Sequence, residues 1–427
     1  MPISSLNNLF PARGSFLSSI ASVAGGTALA QGIAFAAAPV LTRLYTPADF
    51  GVFAVFTSIV ILTLPLACGR YQVAIPLART DGQARDLVAL SLSLLLVMTI
   101  VAAVVLVFAG EALVRTFHAP ALLPYLWLVP VSLAGAALLD IGTYAATRQK
   151  RFTELFRSKV AQAASMVGIQ LLLARVGAGG LMAGDAASRI AAGSLLNWRT
   201  FAPAAVRQAT LPGMRAAASE HRRFPLLYVW SSLLNVANVQ MLPLLISSAF
   251  GTAVAGQFSL ANRVVFLPLT LIGQAVASPF YQRAAAMYRE RPEELPSFVF
   301  RTQKMLLLCA VVPTLILIAF GPQLFAFVFG RAWTEAGRYA QIFVSVLLAE
   351  LVFSPVSQLF NIFNKQHVHL IWSALLCTST FFAVRLAVPY GATAAVIALT
   401  AVNLVAYGIG LLLIAVWMHP LRTGGRP

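Results

Sequence analysis

The chain has 427 residues, of which 59% are hydrophobic and only 10% are charged, and its mean hydropathy is +0.83. Soluble domains usually carry about 25% charged residues, so this composition excludes a water-soluble globular protein. The formal net charge of +17 raises the question of a nucleic-acid partner. The basic residues, however, lie between apolar stretches and not in a basic domain or tail.

Apolar stretches of roughly 20 residues, long enough to cross about 30 Å of hydrocarbon as helices, recur along the chain. A segment that spans lipid must pair its own backbone groups, which leaves helices or closed barrels. These stretches are too long and too continuous for barrel strands, so we predict an all-α polytopic membrane protein of about twelve helices. In chain order the predicted spans are 17–42, 50–76, 87–109, 121–145, 158–178, 180–198, 224–249, 254–281, 303–329, 337–363, 367–388 and 391–417.

The distribution of lysine and arginine predicts the orientation of these spans. With both termini placed in the cytoplasm, 22 of the 30 basic residues fall on the inner side, five on the outer side and three within spans. This asymmetry accounts for most of the net charge without a polyanionic ligand, and we therefore reject nucleic-acid binding. The weakest predicted span is 180–198, because it contains Asp185, Arg189 and Asn197.

The longest inner segment, about 199–223, divides the chain into two sets of six spans. We predict an N-terminal six-helix lobe over 1–205, a cytoplasmic linker to about 223 and a C-terminal six-helix lobe over 224–427. Six spans is an even number, so a repeat would have the same orientation in both lobes, as in transporters built around a central cavity. The matching positions are Pro39, Gly51-x-Phe53 and Pro65 in the first half, and Pro243, Gly256-x-Phe258 and Pro268 in the second.

Two stretches carry a family resemblance. Residues 39–51, with the run LTRLYTPADFG, and the earlier Gly25-Gly26-Thr27-Ala28 through Gln31 resemble the opening of the Wzx-type polysaccharide biosynthesis flippases. Residues 256–263 (GQFSLANR) resemble the eighth helix of that family.

The resemblance implies a fold like that of lipid II flippases and MATE exporters, in the bacterial inner membrane. It implies translocation of an undecaprenyl-diphosphate-linked oligosaccharide without enzymatic chemistry, cofactor or metal. The implied partners are this lipid-linked sugar, membrane lipid, and a polysaccharide polymerase and chain-length regulator.

Arginines inside the spans are the candidates for the anionic head group. Arginine donates paired hydrogen bonds to diphosphate and stays charged, and a charge in a span costs at least about 2.5–3.5 kcal/mol on insertion scales. Arg263 is the strongest candidate, with Ser259 one turn before it, and the alternative is a structural pair with a carboxylate such as Glu350. Arg70 would face the cytoplasmic half of a cavity if the second helix continues to residue 76; the alternative is an interfacial anchor.

Two further arginines have strong alternatives. Arg385 lies in the outer part of the eleventh span, where its side chain can extend to the interface. Arg43 ends the first span beside Asp49, and a local ion pair explains it equally well. We interpret Arg189, four residues after Asp185, as a structural pair on one helix face.

Two carboxylates inside spans, Asp140 and Glu350, are the candidates for coupling to a proton or sodium ion. Asp140, Tyr144, Thr147 and Arg151 follow helical spacing, and so do Glu350, Ser354, Gln358, Asn361 and Lys365. Such polar faces cannot point at lipid; the alternative to ion coupling is a permanent salt bridge to a cavity arginine. Sugar hydroxyls would be bound by amides, and the candidates are Gln31, Asn235, Asn238 and Gln274.

Two other functions remain open from the sequence. A MATE-like exporter of cationic small molecules would favour an acidic cavity, whereas the spans contain three arginines against three carboxylates. A membrane glycosyltransferase or polymerase, a different class of protein, would need an outer loop large enough for an active site. No predicted outer loop exceeds roughly a dozen residues.

Overall fold

The computed structural model describes residues 13–200 and 208–422, and leaves undescribed the side chains of residues 13–24, 199, 267–272, 274–275, 278 and 422. Every α-helix or strand within that part of the chain is an α-helix. The helices are α1 (Arg13–Leu44), α2 (Pro47–Ala67), α3 (Asp81–Thr116), α4 (Leu128–Arg148), α5 (Phe152–Leu172), α6 (Ala178–Thr200), α7 (Leu211–Glu220), α8 (Val229–Phe250), α9 (Thr252–Glu290), α10 (Leu295–Phe329), α11 (Thr334–Val356), α12 (Leu359–Ile362), α13 (Gln366–Ala387) and α14 (Ala392–Arg422).

The helices α1–α6, α8–α11, α13 and α14 coincide with the twelve predicted spans. Nine of them, counted within the described residues, are long and apolar enough to cross a membrane. The helices outside this set of nine are α5, α6 and α9, which contain more polar residues. The predicted all-α polytopic fold is therefore confirmed.

Short capping motifs set several helix starts. Thr80 accepts a hydrogen bond from the Gln83 amide (3.2 Å), and Gln83 accepts one from the Arg79 amide (2.8 Å). This reciprocal arrangement satisfies two backbone donors at the start of α3. Thr46 and Asp49 make a similar exchange at the start of α2, where the Asp49 carboxylate accepts from the Thr46 amide at 2.9 Å.

The chain divides into two compact units. The first unit contains residues 1–45 and 52–242, and the second contains 46–51 and 243–427. The division falls inside α8, about 20 residues after the boundary that the linker suggested, and the first turn of α2 belongs to the second unit. The predicted lobe boundaries of 1–205 and 224–427 stay a prediction.

In the first unit, α4 packs closely along α6. A Cβ at Gly135 of α4 would lie 2.7 Å from the Ile190 amide nitrogen and 2.8 Å from the Arg189 carbonyl carbon. Only glycine lets the two backbones approach this closely. Leu133, Ala137 and Ile141 of α4 complete the buried core with residues of α2 and α3.

In the second unit, the first turn of α2 packs against the start of α9. A Cβ at Gly51 would overlap the Thr252 carbonyl oxygen, and a Cβ at Gly256 would overlap the Pro47 carbonyl oxygen. The contact is reciprocal, because each glycine meets the residue four positions before the other. This reciprocity supports the predicted repeat, in which Gly51 and Gly256 occupy matching positions. Phe50 also packs edge-on against the buried ring of Trp333, with centroids 5.0 Å apart.

Between the two sets of six long helices, the predicted linker contains the short helix α7, which docks on the first unit. The Thr210 amide donates to the Asp86 carboxylate of α3 at 3.2 Å, and Gln83 donates to Glu220 at 2.7 Å. Ala217 is buried in the core of this unit, and the Tyr71 hydroxyl donates to the Ala218 carbonyl at 3.3 Å. The linker is therefore a fixed part of the first unit over these residues.

Replacing Asp86 by alanine is expected to loosen α7. The lost hydrogen bond contributes about 0.5–1.5 kcal/mol, so local opening should become roughly three- to tenfold more frequent. Tryptic cleavage after the exposed Arg215 measures that opening. Glu111→Ala, at the opposite end of α3, is the matched control, and equal cleavage rates in the two variants would contradict the docking.

Candidate functional site

The first candidate site lies in the first unit, at the turn that follows α2. The expectation that this helix continues to residue 76 is wrong, because α2 ends at Ala67. Gly69 and Arg70 have φ angles of 56° and 60°, and a 3₁₀-helix runs from Tyr71 to Leu77. A left-handed conformation costs a non-glycine residue about 1–2 kcal/mol. The turn therefore holds Arg70 in a strained backbone geometry.

The side chains of this turn meet a carboxylate of α4. Arg70 Nη1 lies 3.8 Å from Asp140 Oδ2, and their side chains are 15% and 33% exposed. This separation is longer than a hydrogen bond. Gln72 is fully buried (0% exposed) and lies close enough to interact with the Asp140 carboxylate. The predicted site residues Arg70 and Asp140 are thus brought together, in the ion pair that was the alternative for Asp140.

The polar face of α4 is present as predicted up to the end of the helix. Asp140, Tyr144 and Thr147 lie on one partly exposed side, while Ile141 and Ala145 on the other side are buried in the core. Arg151 falls outside this face, since it precedes the first turn of α5. A partly exposed carboxylate inside a span is too costly to face lipid. This face therefore lines a polar space.

The predicted pair of Asp185 and Arg189 is present in α6. Arg189 Nε donates to Asp185 Oδ2 at 2.8 Å, and the Ser132 hydroxyl of α4 donates to the same oxygen at 2.7 Å. The Asp185 side chain is only 4% exposed. The carboxylate thus has two close donors and no room for a ligand, which supports the structural interpretation of the pair.

A second polar cluster of the first unit joins α1 and α5. The Lys159 ammonium donates to the Thr27 hydroxyl at 2.7 Å. Gln31, one turn after Thr27, has a buried side-chain oxygen without a hydrogen-bond partner in the described part of the chain. Sequence reasoning counted Lys159 only as an inner-side charge; its position inside a predicted span was the signal for more.

The second candidate site lies in the second unit, on α9. Arg263 is partly buried and stands 11 residues after Thr252, about 17 Å along the helix. Within the described residues, no carboxylate oxygen lies within 4.0 Å of its guanidinium. The Ser259 hydroxyl, one turn before Arg263, is buried and has no hydrogen-bond partner in that same part of the chain. A cation and a neutral donor are thus grouped without a visible anion.

Glu350 of α11 does not pair with Arg263. Phe343 packs against both Phe258 and Phe266 at centroid distances of 5.8 and 5.4 Å, which places it level with residue 262. Glu350 lies seven residues further along α11, about 10 Å away along the axis. It interacts instead with the Tyr407 hydroxyl of α14.

The predicted polar face that begins at Glu350 is interrupted. The helix α11 ends at Val356, just after Pro355, and α12 begins only at Leu359. The expectation of one continuous face from Glu350 to Lys365 is therefore wrong beyond Ser354. A proline within the stretch was the signal for this break.

The remaining predicted site residues are scattered. Arg385 is exposed near the end of α13 beside the exposed side chains of Phe382 and Leu386, an environment that suits extension to the interface. Arg43 is exposed in the last turn of α1. Asn235 and Asn238 lie exposed on one side of α8. The side chain of Gln274 lies outside the described residues.

Comparison with known proteins agrees on family and fold. The sequence model of the polysaccharide biosynthesis protein family matches residues 40–338. No protein of curated function matches the chain.

Solved structures of transporters are similar over nearly the whole chain. One is an inward-facing conformation of a multidrug resistance MATE family transporter of the MOP superfamily, with a TM-score of 0.71 and 17% identity over 92% of this chain and 96% of that chain. Another is a MOP superfamily transporter from Pyrococcus furiosus, described by the reverse polarity of its binding pocket, with a TM-score of 0.63 and 17% identity over 97% and 99%. At these identities the likeness establishes the fold alone.

Proposed function

Because the chain belongs to the family of polysaccharide biosynthesis proteins, we propose that it is a flippase for an undecaprenyl-diphosphate-linked oligosaccharide. The repeat unit would be that of an O-antigen, a capsule or an exopolysaccharide. It would pass from the inner to the outer leaflet of the bacterial inner membrane by alternating access, with both termini of the chain in the cytoplasm. The protein transports its cargo and carries out no covalent step. A polysaccharide polymerase and a chain-length regulator would act beside it.

Arg263 is the observation that carries the proposal. An unpaired guanidinium in the interior of a long helix is costly in lipid, and a diphosphate would supply the missing anion. The planar fork of arginine suits phosphate oxygens, to which it donates two parallel hydrogen bonds. The unpartnered Ser259 hydroxyl supplies one further donor on the same side of α9. Both groups are then satisfied when the cargo is bound.

The carboxylates divide between two roles in this proposal. Glu350 interacts with the neutral Tyr407, so it is the freer of the two to take up and release a proton or sodium ion during the cycle. Asp140 lies 3.8 Å from Arg70, and its charge is partly compensated. Ion coupling through Asp140 would require that this pair separate.

The alternative within transport is a MATE-like, ion-coupled exporter of cationic small molecules, and the similar solved structures are the observation that favours it. An exposed carboxylate free of basic neighbours would suit such a cargo, whereas Asp140 is compensated by Arg70. An unpaired Arg263 would repel a cation. The charge arrangement therefore favours an anionic head group. A membrane glycosyltransferase or polymerase has no supporting observation of this kind.

Translocation in proteoliposomes tests the proposal. The purified chain would be reconstituted with fluorescent undecaprenyl-diphosphate-linked N-acetylglucosamine, and a membrane-impermeant reductant would report the fraction in the outer leaflet. We expect movement between leaflets to be at least tenfold faster than in protein-free liposomes. Transport of ethidium without movement of the lipid would instead establish the exporter.

A further inference from the structure

The turn after α2 contains an unusual group of unsatisfied polar atoms. Both polar atoms of the fully buried Gln72 side chain and Arg70 Nε have no hydrogen-bond partner in the described part of the chain. A buried polar group left unpaired costs about 1–3 kcal/mol, and native proteins contain few of them. Arg70 adds backbone strain, since its φ is 60°. Unpaired groups and strain at one place are typical of a site completed by a ligand.

The charge of this group selects the kind of ligand. Arg70 and Asp140 lie 3.8 Å apart, so their charges compensate and the cluster of Arg70, Gln72 and Asp140 is neutral overall. A diphosphate would be repelled by the Asp140 carboxylate as much as it is attracted by Arg70. In the second unit, by contrast, Arg263 has no carboxylate neighbour among the described residues. The two sites are therefore suited to chemically different groups.

We infer that the cluster of Arg70, Gln72 and Asp140 binds the hydroxyl groups of a neutral sugar in the cargo, an inference that rests on the proposed function. A hydroxyl is both a donor and an acceptor of hydrogen bonds. Asp140 can only accept, Arg70 can only donate, and the Gln72 amide does both. Neighbouring hydroxyls of one sugar ring would satisfy all of them without any net charge. The inference moves Arg70 from binding diphosphate to binding sugar.

The surroundings of the cluster allow a ligand to reach it. The Asp140 side chain is one-third exposed on the polar face of α4, and the partly exposed ring of Tyr144 lies one turn further along that face. Tyr228, at the start of α8, is near enough to Tyr144 to interact with it electrostatically. Tyr228 also lines a cavity of about 300 Å³ with Arg223, Phe224, Leu227 and Ser231. Aromatic rings beside a few placed polar groups are typical of small-ligand sites.

Binding of lipids with and without sugar tests the inference. The probes are undecaprenyl diphosphate and its derivatives carrying glucose, galactose or N-acetylglucosamine, added to the purified full chain. We expect the wild-type protein to bind at least one sugar-bearing lipid about tenfold more tightly than the sugar-free lipid. Gln72→Leu should reduce that preference to less than about threefold. Asp140→Asn should also reduce it and should strengthen binding of the sugar-free lipid several-fold, because Arg70 then lacks its compensating charge.

Thr99→Val is the matched control, since Thr99 also has a buried, unpartnered hydroxyl in the first unit; it should keep the wild-type preference. Thermal unfolding without ligand separates a binding role from a structural one. Gln72→Leu removes an unsatisfied amide and should leave the melting temperature unchanged or raise it, and a lower value would overturn the inference.

Two binding outcomes separate the inference from the function on which it rests. Equal wild-type affinity for all four lipids would overturn the sugar site and leave the flippase standing. Failure of the wild-type protein to bind any of the lipids would overturn the flippase itself, and the sugar site with it.

Discussion

Replacement of Arg263 by alanine is expected to abolish surface polysaccharide while the protein stays at its wild-type level in the membrane. The guanidinium has no carboxylate partner among the described residues, so its removal leaves no buried anion behind. Two charge-assisted hydrogen bonds to a diphosphate contribute roughly 3–6 kcal/mol together, which corresponds to at least a hundredfold loss of transport. Surface polysaccharide and the rate of lipid translocation in proteoliposomes are the measurements.

Variants of matched charge make this result specific. Arg289→Ala removes an exposed arginine from the same helix and should retain transport. Arg263→Lys keeps the charge but loses the planar fork, so we expect an intermediate rate. Normal polysaccharide in the Arg263→Ala strain would refute the assignment of Arg263.

Replacement of Asp185 by alanine is expected to destabilise the first unit strongly. Asp185 is buried and accepts hydrogen bonds from Arg189 at 2.8 Å and Ser132 at 2.7 Å. Its removal leaves the Arg189 charge uncompensated inside the protein, and the loss of one partner of a buried pair costs about 3–5 kcal/mol. We expect a large fall in melting temperature in detergent and a lower amount of protein in the membrane.

A double variant separates the lost partner from the lost contact. In Asp185→Ala with Arg189→Met, no unpaired charge remains, so most of the stability should return. Glu111→Ala, which removes the acid of an exposed pair with Arg115, should change the melting temperature little. If the double variant were as unstable as the single one, packing and not charge would explain the role of Asp185.

The long elements were accessible from the sequence because hydrophobicity over about 20 residues is a strong signal. The helices α1–α6 and α8–α11 begin and end within several residues of their predicted bounds except where a local motif intervenes. The candidates Arg70 and Asp140 were also identified, because charges inside apolar stretches are conspicuous. Their mutual distance was not predictable, since it depends on a turn and a helix about 70 residues apart.

Local geometry accounts for what the sequence reading missed. The end of α2 at Ala67 was hidden by the apolar residues that follow it, although Gly69 and Pro76 bracket a non-helical segment. Gln72 was overlooked because it was assigned to the inside of a span. The helix α7 was taken as plain linker, although Thr210 and Pro212 form a typical helix start. Each of these signals covers only two or three residues, too few for hydropathy to detect.

The close crossing at Gly51 and Gly256 has a consequence for biosynthesis. Residues 46–51 belong to the second unit but are made with the first, and Phe50 contacts Trp333, about 280 residues later in the chain. At roughly 5–20 residues per second, the ribosome needs on the order of 15–60 s to supply that partner. The first turn of α2 must therefore wait in the membrane with its packing surface open. A fragment that begins at residue 224 would lack this turn altogether, and the second unit is thus not encoded by one continuous stretch of the gene.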